Sequence, residues 1–230
     1  MEAVQTNIRA AARQAGRDPA DITLVVVTKG HSPQAVRALY ELGVRHFGES
    51  RPEKGNERAM QLPDLTDVQW HLIGPVQSRK AAPVARHFNF LHSLDRLQLA
   101  HRLAEALTPG ASLPVLLQCN VSGESTKGGW RAADPSAWPK LLPEFEEVVA
   151  TSGLAVRGLM TMAAYSDDPM AARPVFARLR ALRDFLRQHL PAAGWPDLSM
   201  GMSGDYEAAV LEGATLVRVG TAILGPSDGE

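Results

Sequence analysis

Apolar, β-branched runs alternate with stretches of helical period along nearly the whole chain. The strand-like runs are "ITLVVVT" (22–28), "VRHFGE" (44–49), "VQWHLIG" (68–74) and "FNFLHSL" (88–94), followed by "LPVLLQCNV" (113–121), "AVRGLMTMA" (155–163), "DLSMGM" (197–202) and "ATLVRVGTAI" (214–223). Between them lie helical patterns such as "SPQAVRALYELG", "DRLQLAHRLAEAL" and "DYEAAVLEG". In the long "PMAARPVFARLRALRDFLRQHL", Val175, Leu179, Leu182 and Leu186 recur at helical spacing and arginines fill the other faces. "SPQ" and "DPM" open helices with a capping side chain and an early proline, and "ELG" and "LEG" close them with glycine.

Strand and helix patterns in strict alternation predict parallel strands joined by right-handed crossovers. An open doubly wound sheet and a closed barrel both satisfy that pattern. No "GxGxxG" follows the first strand, and eight strand candidates match closure. The expected fold is therefore a single α/β domain over residues 1–230, a (β/α)₈ TIM barrel with an N-terminal helix. Its chemistry belongs at the C-terminal ends of the strands.

Composition narrows the function classes. Hydrophobic residues make up 45% of the 230 and charged residues 21%, enough for a sizeable core and against disorder. A net charge of -1 offers no broad attraction for nucleic acid or an anionic membrane. The start "MEAVQTNIRAAARQAG" has no apolar signal-peptide core, and no later run approaches a membrane span. A cytoplasmic protein is expected. One cysteine, Cys119, excludes an internal disulfide and is read as a buried small residue. The histidines of "HSPQ", "RHF" and "FLHS" scatter over different strands without metal-ligand spacing, so no metal is expected. The tail "GPSDGE" is expected to be mobile.

Polar residues and glycines concentrate at the predicted strand ends. Strand one ends at Thr28-Lys29, strand two at "FGES", strand three at "WHLIG" and strand five at "CNVSGESTKGG". Each admits a plain reading: a surface lysine, a turn, a core histidine at His71, a flexible loop. The last two ends say more. "GMSGD" sets Gly201, Ser203 and Gly204 just before a helix starting near Asp205, where small residues let backbone N–H groups approach an anion. "VRVGT" adds Gly220 and Thr221 on the next strand, and barrels often hold phosphate in these two loops.

Arg218 lies in an apolar strand two residues before Gly220. A buried guanidinium needs an acceptor, which Glu49 or the ring nitrogen of a heteroaromatic ligand would supply. A phosphate pocket, an adjacent arginine and an imine-capable lysine across the barrel together describe pyridoxal 5′-phosphate. Its aldehyde would take Lys29, its phosphate the seventh and eighth loops, and its ring nitrogen Arg218. Ser50, His71 and Met202 complete the candidate binding set, with no residue assigned a catalytic role.

"VVVTKG", "FGES", "WHLIGPVQSRK", "CNVSGESTKGG", "RGLMTM" and "LSMGMSGDYEAAVLEGATLVRVGTAILG" resemble the signature blocks of the pyridoxal-phosphate homeostasis proteins. The resemblance runs from near residue 5 to Gly225. It implies a barrel similar to that of alanine racemase, with the cofactor held as an aldimine on Lys29. It further implies that Ser203, Gly220 and Thr221 hold phosphate and that Arg218 lies near the ring nitrogen. Where the family usually has "FGEN", this chain has Ser50, which is shorter and lacks the amide donor.

Three function classes fit such a barrel. A racemase-like enzyme needs a base opposed to Lys29, supplied in related racemases by a tyrosine of a second domain. Of Tyr40, Tyr165 and Tyr206, Tyr165 alone falls in a βα loop, and no second domain is expected here. A cofactor carrier, a monomer handing pyridoxal phosphate to apo enzymes, asks only for a reversible imine and a phosphate clamp. It is preferred over the enzyme and over a bare interaction module. Lys80 and Lys127 are read as solvated or loop charges able to take the cofactor only transiently.

Overall fold

The computed structural model describes residues 1–226, so residues 227–230, within the tail expected to be mobile, lie outside the described residues. Its strands are β1 (Thr23–Val27), β2 (His46–Glu49), β3 (Gln69–Leu72), β4 (Phe90–Leu94) and β5 (Leu113–Asn120). They continue with β6 (Trp130–Arg131), β7 (Leu154–Met160), β8 (Asp197–Ser199) and β9 (Leu216–Val219). The helices are α1 (Glu2–Gln14), α2 (Pro33–Glu41), α3 (Pro52–Gln61), α4 (Ala81–His87) and α5 (Leu97–Ala106). After them come α6 (Leu142–Ala150), α7 (Arg173–His189), α8 (Tyr206–Leu211) and α9 (Thr221–Leu224).

Eight strands close the barrel in the order β1, β2, β3, β4, β5, β7, β8, β9 and back to β1, every pair parallel. The β4–β5 pairing completes the ring, so the doubly wound alternative is excluded. The two-residue β6 hangs on the end of β5 through Cys119↔Trp130, immediately after the segment whose sequence reads as a flexible loop. The expected eighth strand also ends early. Its "TAIL" winds into α9 after Gly220 instead of continuing the sheet.

The punctuation residues act as their chemistry dictates. Ser32 caps α2 by accepting from Ala35 N–H, with Pro33 at the first helical position. Asp168 accepts from Met170 N–H at the entry to a short 3₁₀ turn before α7. Gly43 and Gly213 take the positive φ that ends α2 and α8. Helix α7 buries Phe176, Leu179, Leu182 and Leu186, with Val175 half-buried at the margin. Leu179, Leu182 and Leu186 are the expected stripe, and Phe176 takes the place expected of Val175. Each such side chain contributes roughly 1.5–3 kcal/mol on burial.

Side chains fill the barrel in two regimes. Val25, Leu116, Met160 and Leu216 make a small apolar cluster inside it, separate from the larger core between sheet and helices. Alternation along the strands then places Gly48 on the inner face, where an added Cβ would stand 3.1 Å from Val25 and 3.5 Å from Val27. His71, His92, Ser199 and Arg218, all buried, supply the polar part of the interior. Among the described residues no helix is long and apolar enough to cross a membrane.

Candidate functional site

Lys29 follows β1 and continues the inward parity of Val25 and Val27. It is half-buried, lining a cavity of about 380 Å³ at the C-terminal end of the barrel together with Ser50, Glu49 and Arg58. That cavity does not include Ser203, Arg218, Gly220 or Thr221. Those four reach the same end of the barrel by way of strand pairing. β1 and β9 are neighbours, with Val25 opposite Arg218 and Val26 opposite Val219. A Cβ on Gly220 would lie 3.1 Å from Val27 O, so the backbones of the two strand ends nearly touch. Lys29 therefore stands beside the strand of Arg218, rather than across the barrel from it.

The loop after β8 is built for close approach. Gly201 adopts φ +91°, and a Cβ there would fall 2.6 Å from Ala209 Cβ in α8. Ser203 Oγ accepts the N–H groups of Gly220 and of Ala222, each at 3.2 Å, which ties this loop to the start of α9. Gly204 beside it leaves the space around its missing side chain empty to 4 Å. Converging N–H donors, a hydroxyl and an open cradle form a donor set that suits a phosphate. Asp205 opens α8 beside this loop, and its Oδ1 accepts Met202 N–H at 2.6 Å. Burial raises its pKa, which lessens repulsion of an anion. Met202 and Thr221 are exposed at the rim.

Arg218 is 3% exposed, and its guanidinium donates to Ser199 Oγ and, at 3.0 Å, to Thr161 O. Burial lowers its pKa to about 10, so it remains a cation at neutral pH. Glu49, one expected acceptor, is not its partner. Glu49 has the opposite parity to the inward Gly48, accepts from Thr28 Oγ1 at 2.7 Å and lies 3.6 Å from Arg58 Nε under α3. Ser199 filled a place that sequence reasoning left empty, and only strand register reveals it.

His71 is also placed deeper than expected. It is 2% exposed, hydrogen-bonded to His46 on one side and His92 on the other. Burial drives its pKa down to about 3, so it is a neutral ring. Sequence spacing gave no hint that His46, His71 and His92 meet, yet each sits at an inward position of consecutive strands. Among the described residues no group of three histidine, cysteine, aspartate or glutamate side chains is arranged to hold a metal.

The other reactive side chains are occupied. Lys80 pairs with Glu53 at 2.7 Å, and Lys127 with Glu124 at 2.6 Å and Met162 O at 3.0 Å. Burial raises the pKa of the Cys119 thiol, which keeps it protonated and inert. Arg58 Nη1 and Asn56 Oδ1 are the buried side-chain polar atoms without a hydrogen-bond partner among the described residues.

Comparison with known proteins agrees with this architecture. The family model "Alanine racemase, N-terminal domain" matches residues 1–228. The pyridoxal phosphate homeostasis protein of Pseudomonas aeruginosa is 44% identical over 227 residues, spanning 98% of this chain and 93% of that protein. The Escherichia coli K12 protein of the same name is 37% identical, spanning 98% and 94%. PipY of Synechococcus elongatus, solved with PLP bound, superposes with a TM-score of 0.81 at 34% identity, covering 95% of this chain and all of that one. Alanine racemase from Corynebacterium glutamicum, 19% identical with a TM-score of 0.67, shares the fold over 62% of its own length. The chain belongs to the pyridoxal phosphate homeostasis family, built on the alanine racemase N-terminal barrel.

Proposed function

We propose that this protein binds pyridoxal 5′-phosphate at the barrel mouth, attached through Lys29 Nζ, and serves intracellular cofactor homeostasis. The observation that carries the reading is the pairing of β1 with β9, which brings Lys29 beside the ends of Arg218, Gly220 and Thr221. The bound cofactor supplies an aldehyde that condenses with an amine and releases water. Lys29 offers the amine from a half-buried position reachable from the mouth. Ser203 and the N–H groups it gathers hold the phosphate, and Gly204 leaves it room. Arg218, fixed by Ser199 and Thr161 O, presents a permanent cation toward the ring nitrogen and keeps that nitrogen unprotonated. An unprotonated ring is a poor electron sink, which suits storage and transfer to apo enzymes better than carbanion chemistry.

A racemase-like role needs a base opposed to Lys29. The tyrosines are engaged elsewhere: Tyr40 with Asp67, Tyr206 with Asn7, and Tyr165, 91% exposed, with Asp167. Their positions weigh against that role.

The test is an absorbance spectrum of the protein with pyridoxal phosphate, before and after borohydride reduction, with the labelled peptide identified. A yellow protein labelled at Lys29, and a colourless but folded Lys29→Ala variant, are expected. Label mainly on Lys80 or Lys127 would overturn the assignment of Lys29.

A further inference from the structure

The barrel interior carries a file of hydrogen-bonded side chains whose three histidines cofactor binding as proposed does not use. His46 Nδ1 lies 3.0 Å from His71 Nε2, and His71 Nδ1 lies 2.8 Å from His92 Nε2. His92 Nδ1 then reaches Ser199 Oγ at 2.8 Å, and Ser199 Oγ receives the guanidinium of Arg218. Register explains the ascent. His46 pairs with Gln69, two residues below His71, and His71 pairs with Phe90, two residues below His92. Each ring is therefore the inward diagonal neighbour of the last, one step higher in the barrel. The file starts at half-buried His46, which lines a floor cavity of about 450 Å³ with Arg9 and Gln5 of α1, and ends beneath the proposed cofactor ring.

Hydrogen-bond bookkeeping gives the file a direction. Arginine only donates, so Ser199 Oγ accepts from Arg218. The serine has one hydroxyl proton, and its remaining partner is His92 Nδ1. That proton therefore points to His92, which must carry its own on Nε2 and donate to His71 Nδ1. His71 in turn carries its proton on Nε2 and donates to His46 Nδ1. Every bond then has one donor and one acceptor, as three neutral rings allow.

We propose that His92, acting through Ser199, is a positioning residue for Arg218, and that the three rings carry the protonation state of His46 to that guanidinium. A proton gained at the floor makes both His46 nitrogens donors, so His46 Nδ1–H confronts His71 Nε2–H. Relief requires His71 and then His92 to exchange the Nε2–H tautomer for the Nδ1–H tautomer, His46 keeping both its protons, which leaves His92 Nδ1–H aimed at Ser199 Oγ. The serine proton then loses its acceptor, and the seat of Arg218 is disturbed. The surroundings leave His46 as the ring that titrates. Burial lowers the pKa of all three, least completely at His46, while the charge of Arg218 acts on His92. Arg9 lines the same floor cavity as His46, and Asp205 is the carboxylate whose field reaches Arg218. Among the described residues the histidine–carboxylate ion pair is His101–Glu147, remote from the file.

The functional consequence rests on Arg218 facing the cofactor, but the file itself is testable without any ligand. In protein labelled with ¹⁵N-histidine and free of cofactor, ring-nitrogen shifts should show His71 and His92 each in one tautomer, protonated at Nε2. Ser199→Ala should release His92 into a mixture. A proton on His92 Nδ1, or mixed tautomers in the unmutated protein, would overturn the proposal. Retention of pyridoxal phosphate, followed from about pH 8 to 5 where an imidazole titrates, should fall in the unmutated protein and fall less in His46→Gln. The same fall in both would sink the relay alone. Failure of the unmutated protein to bind at any pH would sink the binding site and leave the tautomer result standing.

Discussion

Thr28 Oγ1 donates a 2.7 Å hydrogen bond to Glu49 Oε1, joining the residue before Lys29 to the end of the neighbouring strand. Glu49 is 2% exposed, with Arg58 as its distant cation at 3.6 Å. Desolvation outweighs both partners and raises its pKa above the ordinary 4.5. A raised carboxylate binds its proton more tightly in the folded state. Its contribution to stability is therefore complete below the unfolded pKa and is lost as pH rises through the folded one. Urea denaturation from about pH 4 to 7 should show the unmutated protein losing stability relative to Glu49→Gln as pH rises. Parallel curves would mean that Glu49 titrates normally.

The phosphate end can be separated from the rest of the cofactor. Ser203→Ala removes a hydroxyl from the spot where Gly220 and Ala222 N–H converge. Hydrogen bonds to a charged group are worth roughly 1.5–3 kcal/mol, or about one to two decades of affinity. Titration should show that loss for pyridoxal phosphate and little for unphosphorylated pyridoxal. Equal losses would move the phosphate elsewhere.

Helix α3 is locked to the entry of β4 by a glycine. A Cβ on Gly55 would stand 2.1 Å from Phe88 Cζ, a ring only 5% exposed. Gly55→Ala should cost about 1–3 kcal/mol through overpacking. Combined with Phe88→Leu, the same substitution should cost measurably less than in isolation, because the clashing ring is gone. Additive losses in thermal unfolding would point to backbone strain instead.

The stripe on α7 predicts an unequal pair. Phe176 is wholly buried against the sheet, while Val175 sits at its margin. Phe176→Ala should destabilise by about 3–5 kcal/mol and Val175→Ala by roughly 1 kcal/mol or less. Reversal of that order in chemical denaturation would place Val175, rather than Phe176, in the core.

The barrel strands and helix caps were legible because they follow from local chemistry: β-branched runs, Ser32 with Pro33, Gly43 and Gly213. Lys29 and the "GMSGD" and "VRVGT" ends could be read for the same reason, each being a short string with its own chemical meaning. What escaped were relationships between strands. Glu49 looked like a partner for Arg218 until parity turned it outward under α3. His46, His71 and His92 looked scattered because their contact depends on a two-residue offset repeated across two strand pairs. The strand-like "TAI" became helix because the chain turns at Gly220, where Ser203 gathers the N–H groups of the new turn.

The adjacency of β1 and β9 makes the mouth a joint between the two ends of the chain. Lys29 and Thr221 are separated by nearly the whole chain, yet their strands share one ladder. Joining them closes a loop whose entropic cost, for roughly 190 residues, is on the order of 4–5 kcal/mol. Neither half of the mouth exists as a mouth until that seam is made. A small molecule gripping both sides acts as a clasp on the ring, adding to stability in proportion to the logarithm of its concentration over its Kd. Cofactor abundance would then be written into the stability of the folded protein as well as into its occupancy.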